Sequence, residues 1–144
     1  MPRSNKWVTE KIACYLDDYC NFPDCMEFAW KGLTVESDAQ YFIVKIFGNE
    51  VYRLYMREGT PDSIRVTNGF YLDGYGLPTR QTREVLNGLL DVSGELGLIP
   101  SGVRVFKDGT GYAVGKGEYM APLDKQNPFR FLRFNKAKES FSIS

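Results

Sequence analysis

The residues best placed to do chemistry in this chain fall into two groups. Thr79, Arg80, Arg83 and Asn87 stand at the start of a helical pattern, with Tyr71 and Tyr75 just ahead of it. A threonine cap, free backbone amides and two arginines at the positive end of a helix would hold an anion, either a phosphate or an acidic side chain of a partner. If the anion belonged to a nucleotide, Tyr71 or Tyr75 would stack on the base, and Gly74 and Gly76 would let the loop close over it. The second group is Phe129, Arg130, Phe131, Arg133, Phe134 and Lys136. Alternating rings and cations there would stack on bases while neutralising phosphates. Both groups also have a bland explanation. Thr79 serves as a cap on a helix whose arginines are solvated, and the aromatic run is an edge strand with Phe129, Phe131 and Arg133 on one face.

Other chemistries are poorly supplied. The chain has no histidine, which removes the usual general base, the Ser-His and Cys-His nucleophile pairs and the commonest zinc ligand. Cys14, Cys20 and Cys25 are odd in number and contain no C-x-x-C pair, so they read as reduced thiols and not as a zinc site. Asp17 and Asp18 lie on the polar side of a helix, and the glycines around Thr110 lie on a hairpin, where no phosphate loop belongs. The expectation is a protein that is not an enzyme and carries no metal or cofactor. Eighteen basic and eighteen acidic residues balance, so no net field draws the chain to nucleic acid or membrane. Residues 101–144 hold eight basic and four acidic side chains, against four and seven in residues 1–40, so a basic surface could gather only near the C-terminus. No secretory segment follows Met1, and no apolar run approaches the ~20 residues that span a bilayer. A cytoplasmic protein with no membrane partner is expected.

The elements that would position these residues follow from periodicity. Trp7, Val8, Ile12, Tyr15, Leu16 and Tyr19 form one stripe of a helix over 5–20, capped by Asn5 and ended at Phe22-Pro23. Residues 26–35 alternate as a strand would, although Pro23-Asp24 could also open a helical turn. Phe42, Val44 and Ile46 alternate, as do Tyr52, Leu54 and Met56. For the two sets to share a face the hairpin loop must be odd, which favours Gly48-Asn49-Glu50 and pairs Ile46 with Tyr52 and Val44 with Leu54. Gly59-Thr60-Pro61-Asp62 reads as a turn before a strand holding Ile64 and Val66. A second helix runs from Thr79 or Arg80 to about Ser93, with Val85, Leu86, Leu89 and Leu90 on its apolar side and Gly94 and Gly97 at its end. An Asp108-Gly109 turn then pairs Val105 with Tyr112 and Val103 with Val114.

That order predicts an α+β domain: a mostly antiparallel sheet with an N-terminal helix and a central helix packed on one face. Residues 1–126 are expected to form the domain, and residues 127–144 an aromatic and basic segment acting as an edge strand with a flexible tail.

Gly48-Asn49, Gly69-Phe70, Thr79, Thr82, Arg83 and Asn87 together resemble a pattern in small proteins encoded by tailed bacteriophages: a Gly-Asn turn, a Gly-aromatic step and a Thr/Arg/Asn helix start. The likeness covers about 50 of the 144 residues. This chain departs from it by inserting residues 71–76 before the threonines. The resemblance implies a phage origin and an action in the cytoplasm of an infected bacterial host, but no activity. Joined to the neutral charge and the loop tyrosines, it suggests a binding protein that inhibits or redirects a host defence or metabolic protein. Nucleic-acid binding through Phe129 to Lys136, or an anion or nucleotide sponge at Thr79–Arg83, are the alternatives.

Overall fold

The computed structural model describes residues 5–30, 32–67, 80–108, 111–124 and 126–144; the side chains of residues 5–9, 30, 80, 81 and 108 are not included. Tyr71, Tyr75 and Thr79 therefore lie outside the described residues, as does the cap expected before residue 80. Among the described residues the chain forms helix α1 (Asn5–Asn21), strands β1 (Met26–Trp30), β2 (Leu33–Ser37), β3 (Tyr41–Ile46), β4 (Asn49–Arg57) and β5 (Thr60–Thr67), then helix α2 (Arg80–Glu95). Strands β6 (Arg104–Asp108), β7 (Gly111–Lys116), β8 (Tyr119–Pro122), β9 (Phe129–Asn135) and β10 (Ser140–Ile143) follow. The expected α+β class is what is found.

A seven-stranded sheet has the order β1-β2-β3-β4-β5-β9-β10, and β6-β7-β8 form a second, smaller sheet. Every pairing is antiparallel. Period-two alternation explains the large sheet's buried face. Phe28, Val35, Val44, Tyr52 and Val66 form one row across it, and Phe42, Leu54, Ile64 and Leu132 the next. Ile12, Leu16 and Tyr19 of α1 and Val85, Leu86, Leu89 and Leu90 of α2 join these rows in one core. Tyr19 stacks obliquely on Phe42 with centroids 5.4 Å apart. The buried Tyr52 hydroxyl meets Ser93 Oγ of α2 at 2.7 Å.

Several sequence expectations change. The ambiguous stretch 26–35 is a strand hairpin, not a helical turn. The β3–β4 loop is Phe47-Gly48, a two-residue turn with φ of 50° and 82° at its central positions, as a type I′ turn requires. Ile46 pairs with Asn49 and Val44 with Tyr52, so the three-residue loop and its register are both corrected. Parity is restored inside the strand instead. Val51 is an extra residue in a β-bulge, and both it and Tyr52 are buried. The next hairpin repeats the device: Glu58-Gly59 turns with φ of 53° and 78°, Thr60 and Pro61 are already strand, and the register shifts at Asp62. A bulge adds one residue and local twist without breaking the hydrophobic pattern.

The β6–β7 register is also shifted. Asp108 pairs with Gly111 and Val105 with Val114, not with Tyr112, which faces Lys107. The expected turn residue Asp108 thus belongs to the strand. Finally, Phe129–Asn135 is not an edge strand. It pairs with β5 on one side and β10 on the other, and β10 forms the edge from residues expected to be a flexible tail.

Candidate functional site

The helix-start group is only partly assembled. Arg83 donates from Nη1 to the Tyr112 hydroxyl at 3.3 Å, and its guanidinium lies 5.6 Å from that ring's centroid. The Asn87 amide is used from both ends: Oδ1 accepts from Val105 N at 2.7 Å, and Nδ2 donates to Val105 O at 3.2 Å. A primary amide so placed mimics a neighbouring strand. It caps the edge of β6 and fastens the small sheet to α2. Both side chains expected to meet a partner or anion are therefore engaged in the fold.

The aromatic and basic run is divided by strand alternation. Arg130, Leu132 and Phe134 turn to the helix-covered side of β9, and Phe129, Phe131 and Arg133 to the opposite face. Arg130 Nε donates to the Pro122 carbonyl at 2.6 Å. Phe134 packs edge-on against Phe141, centroids 6.5 Å apart. Lys136 lies across Gly97 at the end of α2, its Nζ close enough that a Cβ on that glycine would sit 3.2 Å away. Of the six residues, only Phe129, Phe131 and Arg133 share a surface.

That surface is the sheet face opposite the helices, and it holds residues outside both candidate groups. The register lays Glu36, Ile43, Arg53, Arg65 and Phe131 side by side across five strands. Tyr41, Tyr55 and Ser63 form the next row, while Lys45 with Glu50 and Thr67 with Phe129 are cross-strand pairs at the other end. Arg53 lies over Tyr41 at 4.9 Å and near Tyr55 at 5.7 Å; Arg65 lies over Phe129 at 5.6 Å. Tyr55 and Phe131 stand 6.2 Å apart, and Phe129 meets Phe131 edge-on at 6.0 Å. Cation–π contacts of this kind hold a guanidinium flat against a ring.

Glu50 ties the arrangement together. Arg53 Nε donates to its Oε1 at 2.8 Å and Arg65 Nε to its Oε2 at 2.9 Å, and an Nη2 of each arginine also contacts the carboxylate. The Glu50 side chain is only 12% exposed and each arginine 24%. Burial works against the charge on Arg53, but the Glu50 hydrogen bond and carboxylate, with Tyr55, raise its pKa above the ordinary arginine value. At the margins Lys45 pairs with Glu36 at 3.5 Å and Arg133 with Asp62 at 3.6 Å.

The signal for this face was present in the off-phase positions of the strands. Between the apolar residues 42, 44, 52, 54, 64 and 66 stand Tyr41, Ile43, Arg53, Tyr55 and Arg65, where a merely solvated face would show Lys, Glu and Thr. The arrangement can bind rings, guanidinium-compatible anions and apolar side chains. Among the described residues no group of three or more Cys, Asp or Glu is gathered to hold a metal ion, and no helix is long and apolar enough to cross a membrane. No family model, curated protein or solved structure matches the chain.

Proposed function

We propose that this is a non-enzymatic binding protein that docks a partner protein on the face of its large sheet opposite the helices, the face left open among the described residues. In keeping with the resemblance to tailed-phage proteins, the partner is a protein of the infected host whose action is inhibited or redirected. One observation carries the reading: Arg53 and Arg65, seated on Tyr41, Tyr55 and Phe129, are pre-ordered on one surface. Tyrosine and arginine dominate the few side chains that supply most interface energy, and ordering them before binding reduces the entropy lost on association. The test compares the native chain with a Tyr55→Ser/Phe131→Ser variant, both immobilised and shown by circular dichroism to be folded, in capture from host lysate. A discrete protein retained by the native chain and lost from the variant is expected. Equal retention by both, or retention of nucleic acid alone, would overturn the proposal.

Nucleic-acid binding remains the second reading because Phe129, Phe131 and Arg133 share this face. It is weakened by the carboxylate partners of Arg53, Arg65 and Arg133, since affinity for nucleic acid comes mainly from cations free to neutralise phosphates. It requires binding that falls steeply with salt and is reduced by Arg133→Ala.

A further inference from the structure

The Arg53–Glu50–Arg65 cluster is unbalanced. Arg53 and Arg65 are directly opposite on neighbouring strands, a placement that repels when both side chains carry the same charge. Two guanidiniums share a single carboxylate, so +2 and −1 leave a net charge of +1 in the middle of the face. Glu50 takes the Nε and Nη2 side of Arg65, and Nη1 has no hydrogen-bond partner among the described residues. Thr67, paired with Phe129 on the same face, has a buried hydroxyl that likewise lacks a hydrogen-bond partner. A sheet face that needed only solvation would alternate charges one for one, as Lys45 and Glu36 do.

We infer that the open face recognises an acidic segment of its protein partner, with a carboxylate from that segment engaging Arg53 and Arg65 beside Glu50. This rests on the docking proposal above and names the chemistry that the partner brings. A second carboxylate makes the cluster two against two and supplies an acceptor for the unused Arg65 donor. Arginine forks suit a planar carboxylate because two parallel N–H donors match its two oxygens. Tyr41, Tyr55, Phe129 and Phe131 surround the position and take the apolar side chains that flank the acid. A nucleic acid would bring several phosphates to a surface with one net charge, which is the poorer match.

The experiment titrates the full chain with three probes: an extended peptide of alternating Glu and Val, its Gln–Val twin, and a single-stranded oligothymidine. The Arg53 and Arg65 Nε–H resonances are followed by nuclear magnetic resonance. The acidic peptide should shift both resonances and bind at least about tenfold more tightly than its twin. Glu50→Gln removes the resident carboxylate and should tighten the acidic peptide, whereas Arg65→Gln should weaken it to the level of the twin. That opposition of sign separates recognition from a structural role; if Glu50→Gln does not fold, loss of the preference for the acidic peptide over its twin in a folded Arg65→Gln chain carries the test. Equal binding of the two peptides, no shift with the acidic one, or tighter binding of the oligothymidine would overturn the inference. Should the peptides bind equally while capture still depends on Tyr55 and Phe131, the docking proposal stands and only its acidic chemistry falls.

Discussion

Phe47 is the residue at which local chemistry and fold disagree most openly. It holds a φ of 50° in the first position of a two-residue turn, a conformation that glycine, asparagine and aspartate adopt readily and bulky side chains resist. Its ring is 67% exposed and crosses Gly32, where an added Cβ would come within 2.4 Å of it. Replacing Phe47 by Asn should therefore raise stability by about 0.5–1 kcal/mol, the scale of relieving an ill-suited backbone conformation, as read by urea unfolding. A loss of stability would mean that the contact with Gly32 outweighs the strain. The cysteines make a second residue-scale case. Cys14 and Cys25 are exposed, whereas Cys20 is half-buried, and burial with the nearby Asp17 pushes its pKa up to about 11. Alkylation requires the thiolate, so iodoacetamide at pH 8 should modify Cys14 and Cys25 well before Cys20. Modification of all three at one rate would contradict this placement. Neither feature was legible beforehand. The periodicity of the strands marks their inward residues, but a turn of Phe-Gly carries no residue that announces a type I′ conformation at its first position.

At the scale of elements, the joints were the parts hardest to read. Both helices and the inward positions of β3, β4 and β5 followed from apolar spacing, because burying one face fixes which residues point inward. The bulges at Val51 and Asp62 did not, since the alternation on either side is preserved across an extra residue and does not mark it, even where, as at Val51, that residue is itself buried. The attachment of the small sheet was equally hidden: Asn87 stood in the sequence as a candidate binding residue of α2, yet its amide completes the hydrogen bonding of Val105. Asn87→Leu keeps the volume but removes both partners from a half-buried peptide, which should cost about 1–3 kcal/mol. Hydrogen exchange at the Val105 amide should quicken more than exchange in β4. If Val105 remained as protected as before, the amide bridge would be incidental to holding β6. Lys136 illustrates the same point at the far end of α2. Its ammonium lies by the helix's negative pole, and cations there contribute roughly 0.3–1 kcal/mol, so Lys136→Met should lower stability by that order without altering any binding on the open face.

The whole molecule is set by one long-range step. After β5 the chain leaves the large sheet, builds α2 and the small sheet, and returns as β9 to pair with β5. Composition sets residues 127–144 apart as an appendage because rings alternate with Arg130 and Arg133 and then give way to Lys136, Lys138 and a serine-containing end. The backbone resolves this by giving each arginine a separate outlet, Arg130 to the Pro122 carbonyl and Arg133 to Asp62, while Leu132 between them is fully buried. An inner strand cannot be removed as an edge strand can. Deleting residues 127–144 would strip β5 of its partner on the β9 side, uncover the side chains packed on Leu132, and leave one edge of β5 unpaired and open to association with other chains. The truncated chain should lose cooperative thermal unfolding and aggregate. Deleting residues 140–144 removes only the outer strand and should lower the midpoint while keeping a single transition. Differential scanning calorimetry of the two truncations distinguishes these outcomes. A cooperative transition in the 1–126 chain, at the midpoint of the full protein, would show that β9 is an accessory to the fold and that Phe129 and Phe131 reach the open face from outside it.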